Sequence, residues 1–362
     1  MKTLEELAKT NERLAMTLPS DITDFETKIF SAIEQIAVES SEGIGLVRVK
    51  DLEGEATDSV TVPKEQSPLV PTDVAEGNTV TPSKVLLDKK TISLSKRWGE
   101  GFALSQDAVD DCHVELINLG LESVGKGFAQ KLDEFIFQGL LRETEYSETI
   151  AGLGAHGIYT LAHKPLTRVI SATDDSVPAV PVTLEAQDEF DGKVEILESL
   201  TGKNLKITYR ASGHTLIRDA GTDATLSYED LTSAFYLSRD KYEVPKVIVV
   251  NPRSYGDIIK DDRFVSAYQG TGAQAPVVSN EIGQVAGLRI VVTTRMPEGI
   301  ALELDTKRFW MLLKKGRMHI KRREEPSSDS YEFYFFQRVG GDTINEFAGS
   351  IITNLSSKSA DL

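Results

Sequence analysis

A long helical periodicity constrains this chain more than any other feature of its sequence. Apolar residues recur at helical spacing from Val109 to Ile136, and Ser105 is a suitable N-cap. At 1.5 Å per residue, a helix reaching Gly139 would be roughly 50 Å long. Glycines inside it, at 120, 125 and 127, each cost about 1 kcal/mol relative to alanine. They are tolerable if a neighbouring element approaches the helix closely there.

The segment before this helix has the opposite character. Residues 63–84 contain four prolines and few large apolar side chains, which favours an extended arm. Strand-like sequence flanks it, at Val60–Val62 and from Val85 to Leu104. The sequence of residues 55–104 therefore predicts a long two-stranded excursion from the rest of the fold. Because an isolated ribbon is barely stable in water, we expect it to pack on another subunit.

The remainder mixes strands and helices. Short β runs separated by glycine turns predict a small β insertion at 155–222. A helix is predicted from Ser227 to about Lys241 and another from Pro252, with buried strands at Val244–Val250 and Leu288–Thr293. The other predicted elements are helices at 4–18 and after Asp21, a strand at Leu46–Val49, and tail strands at 308–313, 318–323, 331–337 and 347–353. The fold class is α+β.

Charge and composition narrow the function. The formal net charge is −16, which argues against a surface built to grip nucleic acid. The single cysteine, Cys112, excludes an internal disulfide, and no run of 18 apolar residues predicts a membrane span. The acidity is also compatible with a high-salt habitat. We expect a soluble protein without a membrane partner.

One basic stretch stands out against this acidity. Residues 306–323 contain eight Lys or Arg residues and no acid. A protein of net −16 that self-associates needs close contacts that oppose its charge. We predict that Arg317, Lys321, Arg322 or Arg323 faces acids of a neighbouring subunit. The alternative is a solvated basic strand face.

No catalytic centre is predicted. Residues 152–157 match GxGxxG, but an acidic segment precedes them and Pro165 follows, so they indicate a loop rather than a nucleotide site. The five histidines show no metal-ligand spacing. Asp107, Asp110 and Asp111 suit the first turn of the long helix. The sequence therefore predicts no catalytic, cofactor-binding or metal residues, and no cofactor.

The order of segments and five local phrases resemble the HK97-fold major capsid proteins of tailed double-stranded DNA viruses. The phrases are AEG (75–77), LSKRWGEGFALS (94–105) running into Asp110-Asp111, LDEFIFQG (132–139), VVNPRSY (249–255), and EIGQVAGLRIVV (281–292) followed by Met296-Pro297. Within the first two, Glu76 and Trp98 are further candidates for contacts between subunits. The 155–222 segment is similar to the extra insertion domains that some members carry.

The resemblance implies a domain plan for the chain. It comprises an N-arm (1–20), the first part of the P domain (21–54), an E-loop (55–104), the P-domain spine helix (105–154), the β insertion (155–222), an A domain (223–305), and returning P/A-domain strands with the C-terminus (306–362). The implied function is that of a structural subunit. Pentamers and hexamers would form an icosahedral head, or virion shell, assembled in the host cytoplasm.

Such a head would enclose double-stranded DNA without sequence-specific binding. Scaffolding, portal and decoration proteins are further expected partners of the family, and no enzymatic activity is expected. Two alternatives remain: an encapsulin-type cellular compartment of the same fold, and an oligomeric enzyme without a familiar motif.

Overall fold

The computed structural model describes residues 41–64, 88–105, 114–154, 156–176, 178–260, 284–285, 287–316, 319–325 and 330–355. The chain divides into two compact units. Unit 1 comprises Met1–Ile136 and Met311–Asp342, and unit 2 comprises Phe137–Trp310 and Thr343–Leu362. The predicted N-arm and the helices predicted at 4–18 and after Asp21 lie outside the described residues.

The described elements alternate between a few helices and many strands. The α-helices are α1 (Val114–Leu140), α2 (Tyr228–Arg239) and α3 (Pro252–Lys260), and short 3-10 helices span Ile44–Leu46 and Glu346–Ala348. The first strands are β1 (Arg48–Asp51), β2 (Ser59–Lys64), β3 (Asp88–Ser93), β4 (Lys96–Ser105), β5 (Glu143–Ala151), β6 (Gly157–Thr160), β7 (Leu166–Asp174), β8 (Leu184–Asp188), β9 (Lys193–Ile196) and β10 (Asn204–Ser212). The later strands are β11 (Ile217–Ala224), β12 (Val247–Val250), β13 (Gln284–Val285), β14 (Leu288–Val292), β15 (Ala301–Leu304), β16 (Trp310–Lys314), β17 (His319–Glu325), β18 (Ser330–Thr343) and β19 (Gly349–Leu355).

A five-stranded sheet organises unit 1. Its order is β1-β16-β18-β17, and β4 also pairs with β18. β1 runs parallel to β16, with Arg48 opposite Met311, whereas β4 and β17 run antiparallel to β18. These pairings join the first described strand of the chain to segments more than 250 residues later, so unit 1 depends on long-range contacts.

The long helix confirms the predicted periodicity. Val124, Phe128, Leu132 and Ile136 follow one another every fourth residue and are all buried, as expected for one face of a helix. The helix ends at Leu140, one residue beyond the predicted Gly139. The predicted N-cap, Ser105, is the last residue of β4, and residues 106–113 lie outside the described part of the chain.

The glycines of α1 differ in the space around them. No described atom lies within 4 Å of the position that a Cβ on Gly127 would occupy, so no described neighbour requires glycine at this position. At Gly139 a Cβ would come 2.5 Å from the Trp310 ring. Close packing of the Trp310 ring therefore requires glycine at position 139, in the last turn of α1.

A buried carboxylate fastens the start of β1's segment to this helix. Asp133, on α1, is 2% exposed. Its Oδ1 accepts hydrogen bonds from the Ser41 hydroxyl at 2.5 Å and the Gly43 amide at 3.0 Å, and Oδ2 accepts one from the Glu42 amide at 3.3 Å. Hydrogen bonds to a carboxylate are the stronger kind, so the turn at 41–43 is held in place.

The predicted excursion at 55–104 is only partly a ribbon. β2 and β3 form a two-stranded antiparallel sheet, from Ser59 opposite Ser93 to Lys64 opposite Asp88. We refer to this pair, residues 59–64 and 88–93, as the ribbon; residues 65–87 lie outside the described residues. β4, which the prediction placed in the excursion, instead pairs with β18 in the five-stranded sheet.

A mixed six-stranded sheet forms the centre of unit 2. Its order is β11-β19-β15-β12-β14-β13, and all four residues of β12 are buried, as expected of a central strand covered on both faces. Buried residues of α2 and α3, among them Leu231 and Ile258, share a hydrophobic cluster with the sheet. The predicted helix start is confirmed, because the Ser227 hydroxyl accepts from the Asp230 amide as an N-cap.

Two three-stranded sheets make up the predicted β insertion, with orders β5-β10-β7 and β6-β9-β8. The observed region runs from Glu143 to Ser212 rather than over 155–222. It begins earlier because β5 pairs with β10 along its whole length, so the segment assigned to the spine helix, 105–154, ends in a strand. It ends earlier because β11 pairs with β19 of the six-stranded sheet. We refer to residues 143–212 as the β subdomain.

Candidate assembly surfaces

Charged contacts fix the base of the ribbon within unit 1. The Asp58 carboxylate, just before β2, accepts hydrogen bonds from Lys315 and, at 2.8 Å, from Arg338. The hydrogen bond from Lys315, followed by that from Arg338, lowers the pKa of Asp58 below its usual value. On the other strand, Lys90 Nζ lies 2.8 Å from Asp342 Oδ1. All these pairs are substantially exposed, so salt screens them.

Backbone packing supplements these charges. The Leu94 amide, at the end of β3, donates to the Asp58 carbonyl at 3.0 Å, and Ile92 is 1% exposed. A Cβ on Gly340 of β18 would lie 2.2 Å from the Ser93 carbonyl oxygen. Only glycine therefore allows the corner between β3 and β4 to lie so close to β18. Together with the ion pairs, this packing fixes the end of the ribbon at Asp58 and Ser93 against β18.

The Trp98 side chain packs against another part of the same chain. It is half-buried on β4, and its ring meets Phe135 of α1 edge-to-face, with 5.7 Å between centroids and an 82° angle between planes. Next to it, the Arg97 guanidinium lies 4.9 Å from the centre of the Phe336 ring. Trp98 thus packs β4 on α1, and its predicted contact with a neighbouring subunit stays a prediction.

Part of the basic stretch, residues 306–323, is paired with acids of the same chain. Three of its members form ion pairs within the chain: Arg308 with Glu243 at 3.0 Å, Lys314 with Asp51 at 3.5 Å, and Lys315 with Asp58. The sequence could not show these pairs, because each acid lies far away along the chain. These three side chains therefore take part in contacts within the chain.

Three further members of the basic stretch lie on β17. The backbones of Lys321, Arg322 and Arg323 pair with β18, opposite Tyr334, Phe333 and Glu332. Among the described strands, β17 pairs with β18 alone and is an edge of its sheet. Edge strands with charged residues resist unwanted strand pairing, and the same charges suit a contact with an acidic neighbour. Arg317 and Glu76 lie outside the described residues.

The GxGxxG segment is confirmed as a loop. It connects β5 to β6 rather than a strand to a helix. A Cβ on Gly152 would lie 2.1 Å from the Leu200 carbonyl oxygen. The first glycine of the motif is therefore required by packing.

Two buried titratable groups of unit 2 bear on the enzyme alternative. Glu303, on β15, is fully buried, and among the described residues neither of its oxygens has a hydrogen-bond partner. Burial raises its pKa well above the usual value, which favours the protonated, neutral form. Burial likewise lowers the pKa of His214 to about 4. Both side chains are enclosed by packed residues, which suits structural rather than catalytic groups.

His214 belongs to the junction between α1 and the β subdomain. Its Nε2 donates to the Leu140 carbonyl at 2.8 Å, and its ring stacks on Phe309 with 5.3 Å between centroids. Nearby, the Ser212 hydroxyl donates to the Leu141 carbonyl at 2.7 Å. Buried hydrogen bonds, rather than exposed ion pairs, attach the β subdomain to the end of the helix.

Comparison with known proteins gives a result at the level of the fold. No family model and no curated protein matches the sequence. Among solved structures, the mature capsid of bacteriophage PhiM1 matches with a TM-score of 0.54 at 12% identity, covering 88% of this chain and 88% of that one. The capsid of an empty GTA particle matches with a TM-score of 0.54 at 13% identity, covering 87% and 90%. A structure of Mycobacterium phage Che8 matches with a TM-score of 0.52 at 12% identity, covering 87% and 91%.

These structures define the class of fold. The chain has the α+β fold of phage capsid proteins, over most of its own length and most of theirs. The resemblance to the HK97-fold major capsid proteins is thereby confirmed for the fold. Within the described residues, no helix is both long enough and apolar enough to span a membrane.

Proposed function

We propose that this protein is a major capsid protein, a structural subunit without enzymatic activity. Pentamers and hexamers of it would form an icosahedral head around double-stranded DNA, assembled in the host cytoplasm. The observation that carries the proposal is the shared fold with the mature PhiM1 capsid over 88% of both chains. The proposal keeps the domain plan from the sequence, with the β insertion redrawn as residues 143–212.

The ribbon supports a role in linking subunits. Among the ribbon positions whose burial is described, Ile92 is the one buried side chain, and the others are exposed or half-buried. A two-stranded sheet without a core is marginal in water. Since its base is fixed to unit 1, the part beyond the base gains stability by lying on an adjacent subunit. This is the role of the E-loop in the proposal.

Charge gives the subunits a second means of association. With a net charge of −16, many copies in one shell repel each other at long range. The edge strand β17 carries Lys321, Arg322 and Arg323, which we assign to contacts with acids of a neighbour. Single exposed pairs contribute about 0–1 kcal/mol, so their effect comes from repetition around the shell. An acidic shell confines DNA rather than binding it.

Electron microscopy of the purified full-length chain tests the proposal. Closed icosahedral shells with five- and six-fold capsomers are the expected result. Small soluble oligomers would contradict it and favour the enzyme alternative, and shells filled with a protein cargo would favour the encapsulin alternative. Scaffolding, portal or decoration proteins would be found as extra bands in particles purified from the natural source.

A charge reversal tests the β17 contact separately. Arg322→Glu should prevent shell closure while leaving the melting temperature of the monomer nearly unchanged, because the partner acid lies on another chain. Lys206→Glu, at an exposed position of β10, changes the net charge equally and should still assemble. Normal shells from Arg322→Glu would show that this side chain is solvated.

A further inference from the structure

Three potential ligand atoms converge on the outer face of the β subdomain. His156 immediately precedes β6, Glu185 lies on β8 and Glu195 on β9. The Nδ1 atom of His156 lies 2.6 Å from Oε2 of Glu185 and 3.8 Å from Oε1 of Glu195. One ligand atom of each residue lies within 4.8 Å of the other two. Because His156 and Glu185 are exposed and Glu195 is half-buried, an ion from solvent can reach them.

Strand pairing explains why residues from three strands meet. β9 is the central strand, with β6 and β8 on either side, and Glu195 is opposite both Ile158 and Ala186. Between Leu184 and Ala186 the register shifts, so Glu185 is the extra residue of a β-bulge. A bulge redirects a side chain that would otherwise alternate to the opposite face. Here it turns the Glu185 carboxylate toward Glu195.

The histidine is brought to the same place by its backbone. His156 has a φ of 54°, in the left-handed region that few non-glycine residues adopt. Its side chain is exposed, as is that of Ile158 two residues further on. The imidazole thereby lies next to Glu185 of β8 and Glu195 of β9.

We propose that His156, Glu185 and Glu195 form a binding site for a divalent transition-metal ion, with Zn²⁺ as the representative ion. Imidazole nitrogen and carboxylate oxygen are both regular Zn²⁺ ligands, and three protein ligands leave one position for water. In a tetrahedral site, ligand atoms about 2.0–2.2 Å from the metal are about 3.4 Å apart. The exposed imidazole would move by less than 1 Å from Glu185 to meet that distance.

The charges around the site favour a cation. Among the described residues, His156 is the one cationic or potentially cationic group within ion-pair distance of the Glu185 and Glu195 carboxylates. With a neutral imidazole, two negative charges therefore converge without a Lys or Arg between them. A divalent ion neutralises both. A protonated imidazole bridging the two carboxylates neutralises only one, and this is the arrangement that the experiment must distinguish.

Calorimetric titration of the full-length chain with ZnCl₂ at neutral pH tests the site, after treatment with a chelator. We expect one saturable site that His156→Asn and Glu185→Gln each weaken at least tenfold, and no comparable binding of Mg²⁺, which prefers all-oxygen ligands. Asparagine tolerates the left-handed backbone of residue 156, so the first variant keeps the local conformation. The matched control is His163→Asn, an exposed histidine of the same subdomain.

Two results would overturn the proposal. One is a titration in which the unmodified chain binds no Zn²⁺. The other is Zn²⁺ binding that His156→Asn and Glu185→Gln leave unchanged, which would place the ion elsewhere. Crystals soaked in ZnCl₂ give an independent measurement, with an anomalous difference peak expected between the three side chains. The outcome does not depend on whether the chain forms shells.

Discussion

The ribbon and the β subdomain are both strand-rich excursions from a larger sheet, but they differ in what stabilises them. The β subdomain buries an apolar cluster of its own, whose members include Tyr159, Val194, Ile207 and Tyr209. The ribbon buries Ile92 at its base. Since burial of apolar surface is the main favourable term in folding, the β subdomain has a core that stabilises it, whereas the ribbon depends on contacts outside itself. Their attachments differ too: exposed ion pairs and close backbone packing hold the ribbon, and buried hydrogen bonds hold the subdomain.

Removing the ribbon should give the largest effect. A chain in which a short Gly/Ser bridge replaces residues 63–90 should form no closed shells, because the element proposed to lie on the neighbour is gone. Its monomer should melt near the temperature of the unmodified chain, because little core is lost. Electron microscopy and a thermal melt measure the two outcomes. Normal shells from the deletion would refute the role given to the ribbon.

A core substitution in the β subdomain should instead reduce stability. Ile207 on β10 is 0% exposed, and Ile207→Ala should lower the free energy of unfolding by about 2–5 kcal/mol through lost burial and a cavity. Ile170→Ala is the matched control, because Ile170 on β7 is 46% exposed; it should change stability by about 0.5 kcal/mol or less. Urea unfolding measures both, and equal losses would mean that the subdomain has no true core.

Acid should weaken the junction of the β subdomain. The pKa of His214 is lowered to about 4 by burial, whereas an unfolded histidine titrates near 6.5. As the pH falls from about 6.5 to 4, the unfolded state gains a proton that the folded state does not, so stability decreases with falling pH. The expected loss is about 3 kcal/mol, because one pKa unit corresponds to about 1.4 kcal/mol.

The variant His214→Leu isolates this contribution. It should be less stable at neutral pH, having lost the hydrogen bond to Leu140, but its stability should fall less between pH 6.5 and 4. The buried Glu303 has a raised pKa, so its own contribution weakens as the pH rises above about 4.3. That contribution is common to both proteins and cancels in the comparison. Identical pH profiles would show that His214 is accessible to protons in the folded state.

The smallest effect is expected at the base of the ribbon. Asp58→Asn removes the acceptor charge shared by Lys315 and Arg338, and the resulting loss of stability should shrink as NaCl is added, since salt screens exposed pairs. The lowered pKa of Asp58 means that its contribution is present above about pH 3.9 and is lost at lower pH. Urea unfolding at low and high salt measures the effect. The control is Glu53→Gln, because Glu53 is exposed and has no Lys or Arg partner among the described residues. A salt-independent loss would point to packing.

Local sequence patterns predicted the elements whose formation depends on neighbouring residues. The end of α1, the Ser227 N-cap and the buried strand around Val247–Val250 were all confirmed, because each depends on neighbouring residues. β5 was missed because Glu143–Ala151 contains three acids and only two large side chains, Tyr146 and Ile150, that pack on the core. β15 gave no signal because a four-residue strand with Glu303 at its centre does not read as buried.

Contacts between distant segments could not be predicted. Nothing near Lys96–Ser105 indicates that it pairs with β18, and nothing near Lys315 indicates Asp58. The His156, Glu185 and Glu195 group is hidden for the same reason, because three strands and a bulge bring the residues together. Sequence spacing identifies metal ligands only where they share one helix or one turn, as in HExxH.

The order in which strands enter the sheets also bears on how the chain can fold as it is made. β1 cannot pair until β16 has been synthesised. The six-stranded sheet cannot be completed until β19 has been synthesised, because β19 lies between β11 and β15. The β subdomain is continuous in sequence, so it can form early, whereas the two larger sheets need β18 and β19, which are the last described strands. A nascent chain, synthesised from the N-terminus, therefore lacks both completed sheets until these strands have left the ribosome. In the capsid role that we propose, shells would then grow from released subunits rather than from chains still being made.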